Sequence, residues 1–194
     1  MTILGIDPGS LITGIGLVRC DGQRMRLVCA DCLRAPASKP FEQRLLFLHD
    51  ALDTFLRTHP VDEVAVEAPF YGVNVQTLMK MCHARGSLLA AVARYGISVH
   101  EYAPREIKKA VVGNGNASKE QVSYMVQRTL EGVDSNNDWS MDVTDAIAAA
   151  LCRAHRLVHV SADDGGSPAT GLADRLIAAG APSDVARRVD RGSR

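Results

Sequence analysis

Four carboxylates fall where chemistry is possible. Asp7 closes the apolar run Thr2-Ile3-Leu4-Gly5-Ile6, and Glu67 closes Val64-Ala65-Val66. An acid at the end of a buried strand is costly unless a counter-charge meets it. Asp142 and Asp145 lie three apart at the start of a helical segment. That spacing puts both on one face, near a helix N-terminus that tolerates negative charge. Taken singly, each has an ordinary role. Asp7 would cap the Pro8-Gly9 turn, Glu67 would be an edge charge, Asp142 a helix cap and Asp145 a first-turn acid. Taken together they are four hard oxygen donors suited to Mg²⁺ or Mn²⁺. Two such ions can flank a phosphodiester, one activating water and the other stabilising the leaving oxygen. No Ser-His or Cys-His pair offers a competing nucleophile.

Basic residues gather in the middle of the chain. The net charge is zero, with 22 basic and 22 acidic residues, which argues against a uniformly basic nucleic-acid binder. Yet Lys80, Arg85, Arg94, Arg105, Lys108, Lys109, Lys119 and Arg128 face only Glu101, Glu106 and Glu120 over the same stretch. Solvated helix faces would account for that run if it stood alone. Lys119 follows a glycine loop at a helix start, where it can swing toward a phosphate. Phe70-Tyr71 directly follows Glu67, so an aromatic stands at the rim of the acidic site. It could stack on an unpaired base, a contact worth about 1–3 kcal/mol, or it could tuck into the core.

The elements that must position these groups read in order. Residues 2–7, 11–19 and 24–33 are strands, with Asp21-Gly22 as a hairpin signal. Phe41–His59 repeats Leu45, Leu48, Leu52 and Phe55 at helical steps until Pro60. A strand ending at Glu67, a helix over 73–94 and a strand over 97–102 follow. Pro104–Val112 opens a helix with proline in its first turn. Ser118-x-x-Gln121 makes a capping box for a helix over 118–130. The last helix runs from Asp142 to His155. This order predicts an α/β fold. Its five-stranded mixed sheet, an antiparallel meander plus parallel strands, carries helices on both faces. The expected domain is 1–159. The expected tail, 160–194, is disordered or loosely docked, with a short helix conceivable over 172–179. Cys29-x-x-Cys32 lies inside a strand with no second ligand pair, and is read as two buried or half-buried thiols. No apolar run is long enough to span a membrane. The opening residues lack the pattern of a signal peptide, so a cytoplasmic protein is expected.

Several segments resemble the RuvC-type Holliday junction resolvases. They are Gly5-Ile6-Asp7-Pro8-Gly9-Ser10 with Thr13-Gly14-Ile15-Gly16, Val66-Glu67-Ala68-Pro69-Phe70, Ala84-Arg85-Gly86 and Tyr102-Ala103-Pro104-Arg105-Glu106-Ile107-Lys108. Val111 to Lys119 and Asp142-Val143-Thr144-Asp145-Ala146 continue the likeness, in order, across residues 2–156. The resemblance implies a ribonuclease H-like fold and a homodimer that symmetrically nicks two like strands of a four-way DNA junction in recombination and repair. It implies that Asp7, Glu67, Asp142 and Asp145 hold two Mg²⁺ ions, which Mn²⁺ can replace. It implies that Lys108 and Lys119 act at the scissile region, that Phe70 is the loop aromatic, and that a branch-migration motor is a partner. Tyr71, Lys80, Arg85, Arg105 and Lys109 are further candidate DNA contacts. The chain departs from the pattern in a longer loop, Glu131–Met141, which carries the single Trp139, and in the tail.

Other classes remain to be weighed. Actin-like and sugar-kinase ATPases also open with Gly-Ile-Asp-x-Gly, but they close two such domains on a nucleotide, and the motif occurs once here. Another ribonuclease H-like nuclease, acting on RNA–DNA hybrids or in RNA processing, shares the acidic site. A non-catalytic junction binder would not need all four acids.

Overall fold

Strand pairing follows the expected order. The computed structural model describes residues 1–69, 74–133 and 137–163. It contains β1 (Thr2–Asp7), β2 (Ile12–Asp21), β3 (Arg24–Arg34), α1 (Phe41–Thr58), β4 (Glu63–Glu67), α2 (Val75–Ala93), β5 (Ser98–Tyr102), α3 (Pro104–Val112), α4 (Lys119–Thr129) and α5 (Met141–Asp163). The sheet order is β3-β2-β1-β4-β5. β1 and β3 flank β2 antiparallel, while β4 joins β1, and β5 joins β4, in parallel. Met1–His159 pack as one compact unit. The remaining segment lies almost entirely outside the described residues, as does the conceivable helix over 172–179.

Side-chain alternation along the strands sorts the core into two layers. Leu4, Ile6, Ile15, Leu17, Val64 and Val66 pack against Leu48, Leu52 and Leu56 of α1 and against Ala84, Leu88, Ala91 and Val92 of α2. Ile3, Val18, Met25, Ala65 and Tyr102 point the other way, onto α3, α4 and α5. Cys29 packs in the first layer and Cys32 in the second. The two thiols stand on opposite faces of the sheet and cannot share a metal or readily form a disulfide.

α5 is the central element. From Ala146 to Cys152 every residue is fully buried. A helix buried on all sides needs small residues, and the alanines supply them. The sheet under it is stripped to the backbone. A Cβ on Gly5 would come within 1.8 Å of the Ala146 carbonyl oxygen, and one on Gly14 within 1.9 Å of the Asp142 carbonyl oxygen. No side chain fits there. The far end of α5 is tied down by Arg153, whose Nε and Nη2 donate to the two Glu63 carboxylate oxygens at 2.6 and 2.9 Å.

The differences from the sequence reading lie at element ends. α5 continues to Asp163 rather than stopping at His155, and the turn at the expected end still packs beside α3: His155 Nδ1 lies 2.9 Å from the Ala110 carbonyl oxygen, and Arg156 donates to Glu106. α2 begins at Val75, two residues late, because Asn74 accepts from the Gln76 and Thr77 amides and caps it.

Candidate active site

Alternation decides which way the strand-end acids point. Residues 3, 5 and 7 of β1 face α5, as do residues 65 and 67 of β4. Ile6 pairs with Val66 across the parallel ladder. Asp7 and Glu67, one step further on, are therefore side-by-side neighbours, on strands about 4.8 Å apart. Gly14 sits opposite Asp7 on β2. Its bare backbone seats the start of α5, and so sets Asp142 and Asp145 over the same strand ends.

Asp142 does not cap α5. Ser140 does: its hydroxyl accepts from the Val143 amide at 3.4 Å, and its carbonyl accepts from the Thr144 amide at 3.1 Å. Trp139 packs against the α5-side core just before it. Neither Asp142 in the first turn nor Asp145 just after it is used as the cap.

The acids share one field. Burial first, and then the charges of Asp145, Glu67 and Asp142, push the Asp7 carboxyl from 3.8 up to about 7, against the pull of Lys119. Glu67 is also raised, by burial and then by Asp145, while Lys119 and Lys108 pull it down. Lys119 Nζ lies 3.3 Å from Asp145 Oδ2, and this charge raises the lysine's own pKa. A cavity of about 250 Å³ is lined by Asp7, Pro8, Glu67, Ala68, Met81, Arg85, Lys119 and Asp145. A second hollow of about 200 Å³ shares Glu67, Lys119 and Asp145 with it and adds Lys108.

These donors fit a divalent cation in kind. Oxygen atoms of crowded carboxylates, with burial and mutual repulsion raising Asp7 and Glu67, are the ligands a hard ion seeks, since its charge relieves that repulsion. Among the described residues, no three are already drawn to liganding distance around one point. Lys119 is the cation that faces Asp145.

The remaining candidates separate. Lys108 faces the acids from α3. Lys109 points elsewhere, into a hollow of about 430 Å³ with Glu106, Ala110, His155 and Arg156. Lys80 and Arg105 are exposed and line neither acidic cavity. Phe70 and Tyr71 lie outside the described residues. Arg85 is in the cavity wall, and Glu101 Oε1 lies 2.6 Å from its Nη2. Sequence reasoning missed Ser140, Glu101 and the seating role of Gly5 and Gly14. Only the glycines left a signal, as gaps in otherwise apolar strands.

A meander-plus-parallel sheet with acids at adjacent strand ends, completed by acids on a buried helix, defines the ribonuclease H-like nucleases. The model of the crossover junction endodeoxyribonuclease RuvC family matches residues 3–153. The RuvC of Salinibacter ruber is 41% identical over 167 residues, covering 86% of this chain and 90% of its own. That of Halorhodospira halophila is 45% identical over 153 residues, covering 79% and 89%. A solved T. thermophilus RuvC in complex with a Holliday junction substrate superposes with a TM-score of 0.76 at 29% identity, covering 83% of this chain and 97% of that one. The chain belongs to the RuvC family of crossover junction endodeoxyribonucleases. Among the described residues, no helix is long and apolar enough to cross a membrane.

Proposed function

We propose that this chain is a structure-selective endonuclease that resolves four-way DNA (Holliday) junctions by metal-dependent hydrolysis of two like strands. The observation that carries the reading is the convergence of Asp7, Glu67, Asp145 and Lys119 on one cavity, with Asp142 in the same field. Asp7, Glu67, Asp142 and Asp145 would hold Mg²⁺, two ions per site, with Mn²⁺ able to replace it, and the bound metal would supply a Lewis acid and a water acidic enough to attack.

The chain's own residues do the rest. The rigid strand ends fix Asp7 and Glu67 to within the small tolerance a reacting phosphodiester allows. The buried α5 delivers the other two acids as a unit. Lys119 partly neutralises Asp145, and from that place it would face the negative charge that grows on the phosphoryl oxygens. Lys108 approaches from the other side of Glu67. Lys80, Arg105 and Lys109 would track the DNA backbone further out. Phe70, with Tyr71 beside it, would stack on a base at the open junction, a role that rests on the family resemblance.

A homodimer would place two such sites on the two like strands. On α2, the positions Val75, Met79, Cys82, Gly86 and Ala90 form one exposed, uncharged stripe at helical spacing. Val75 and Met79 are each more than half exposed. A Cβ at Gly86 would meet nothing within 4 Å, so the chain itself has no need of a glycine in mid-helix. That choice costs about 1 kcal/mol relative to alanine. Close approach of a second copy of this helix accounts for it. A branch-migration motor as partner rests on resemblance alone, and work in the cytoplasm on the opening residues lacking a signal-peptide pattern.

The reading is tested by offering purified protein a four-way junction, the matching duplex and an RNA–DNA hybrid, each with Mg²⁺ or with chelator. Mg²⁺-dependent cleavage of the junction in preference to both others is expected. Preference for the hybrid would instead favour a ribonuclease. Junction binding without cleavage would favour a non-catalytic binder.

A further inference from the structure

Arg85 enters the catalytic cavity from the opposite layer to the acids. Asp7, Glu67 and Asp145 come from the α5 side of the sheet. Arg85, one turn after Met81 on α2, comes over the sheet edge from the other side, and both line the cavity. Its partner Glu101 is the β5 residue paired with Val66, and so points to the α2 side as well. The side chain of Arg85 is only 13% exposed.

Its hydrogen bonds are only partly spent. Nη2 lies 2.6 Å from Glu101 Oε1, a charge-paired contact. Nε is buried without a hydrogen-bond partner among the described residues. Buried polar donors are almost always satisfied in folded proteins, and leaving one open is destabilising. A purely structural tie between α2 and β5 would use both arms of the fork. A guanidinium with an open donor in the wall of a cavity made for a phosphodiester matches the spacing of phosphate oxygens.

Resting on the nuclease reading above, we propose that Arg85 grips a backbone phosphate of the cleaved strand adjacent to the scissile one, and that Glu101 is the positioning residue that aims it. The strand would then lie between two layers, with its reacting phosphate against the acids and a neighbouring phosphate on the arginine fork.

The test is single-turnover cleavage of four-way junctions carrying one neutral methylphosphonate at each phosphate near the nick, by the wild type, Arg85→Met, Arg85→Lys and Glu101→Gln. Arg85→Met is expected to slow cleavage of the unmodified junction about 10- to 100-fold, the loss of one charge-assisted contact. One methylphosphonate position that slows the wild type should cost Arg85→Met nothing further. Arg85→Lys should keep the melting temperature and the charge, yet cleave slowly. Glu101→Gln should melt somewhat below the wild type, since it leaves the buried Arg85 without its paired charge, and show weakened dependence on that same phosphate. Wild-type rates in Arg85→Lys or Arg85→Met, or equal costs at every position in both proteins, would overturn the proposal. Undiminished dependence in Glu101→Gln would remove the positioning role. No cleavage of any junction by the wild type would instead overturn the nuclease reading beneath it.

Discussion

Replacing Asp7 by Asn should make the metal-free protein more stable while destroying its activity. The carboxyl is raised from 3.8 to about 7, by burial first and by three neighbouring acids next. A carboxyl raised in the folded state is favoured there in its protonated form. The stability it allows is therefore present below pH 3.8 and is lost as pH climbs from 3.8 toward 7. Each tenfold change in acidity is worth about 1.4 kcal/mol, so the full loss above pH 7 is on the order of 4 kcal/mol. An asparagine at the same place carries no charge but still gives up hydration, which leaves an expected gain of about 2–3 kcal/mol. For a domain of this size, that is about 5–10 °C in melting temperature. The assay is thermal unfolding of both proteins in chelator at pH 8 and at pH 4, then with Mg²⁺ at pH 8. Asp7→Asn should melt higher at pH 8 and nearly level with the wild type at pH 4. Mg²⁺ should raise the wild type and leave the variant almost unmoved. The variant should bind junctions and fail to cut them. A variant melting at or below the wild type at pH 8 in chelator would refute the argument that this carboxylate is held in an uncompensated acidic field.

Three further outcomes follow from the packing. Gly14→Ala places a Cβ 1.9 Å from the Asp142 carbonyl oxygen and must push α5 off the strand ends; it should cost at least about 1–3 kcal/mol by denaturant titration, and most of the activity with it. Gly86→Leu meets nothing within its own chain, so it should leave the monomer as stable or stabilise it by up to about 1 kcal/mol, yet shift the species seen by light scattering from dimer to monomer; an unchanged dimer would exclude the α2 stripe as the interface. Glu63→Gln strips the half-buried Arg153 of its paired acceptor, and should lower stability by about 3 kcal/mol, with cleavage surviving below the melting transition.

Much of the fold was legible because the strands alternate cleanly and the helices carry clear boundaries. The ten elements appear in the order that periodicity, Pro60, Pro104 and Ser118-x-x-Gln121 indicate. The strand-end placement of Asp7 and Glu67 was legible for the same reason; each alone could be a turn cap or an edge charge, and only the four acids together pointed to a site. What could not be read was tertiary. Nothing local says that Ser140, rather than Asp142, caps α5, because both are good caps and the decision is made by where the helix is seated. Gly14 faces Asp142 across 128 positions of sequence, and only the assembled sheet shows why it must be bare. Arg85 looked like one more basic residue on a helix. Its burial beside Glu101 depends on β5 lying under α2, a contact that no spacing encodes. The Cys29-x-x-Cys32 spacing was correctly discounted, since a strand turns two residues three apart to opposite faces.

The central claim is that these carboxylates, with bound metal, cut paired strands of a four-way junction. It is tested most directly by end-labelling each strand of such a junction in turn and mapping the nicks made by the wild-type protein with Mg²⁺ and with chelator. The account predicts nicks at symmetric positions in two like strands, in Mg²⁺ only. Cleavage that persists in chelator, or no cleavage of the junction in Mg²⁺, would contradict it.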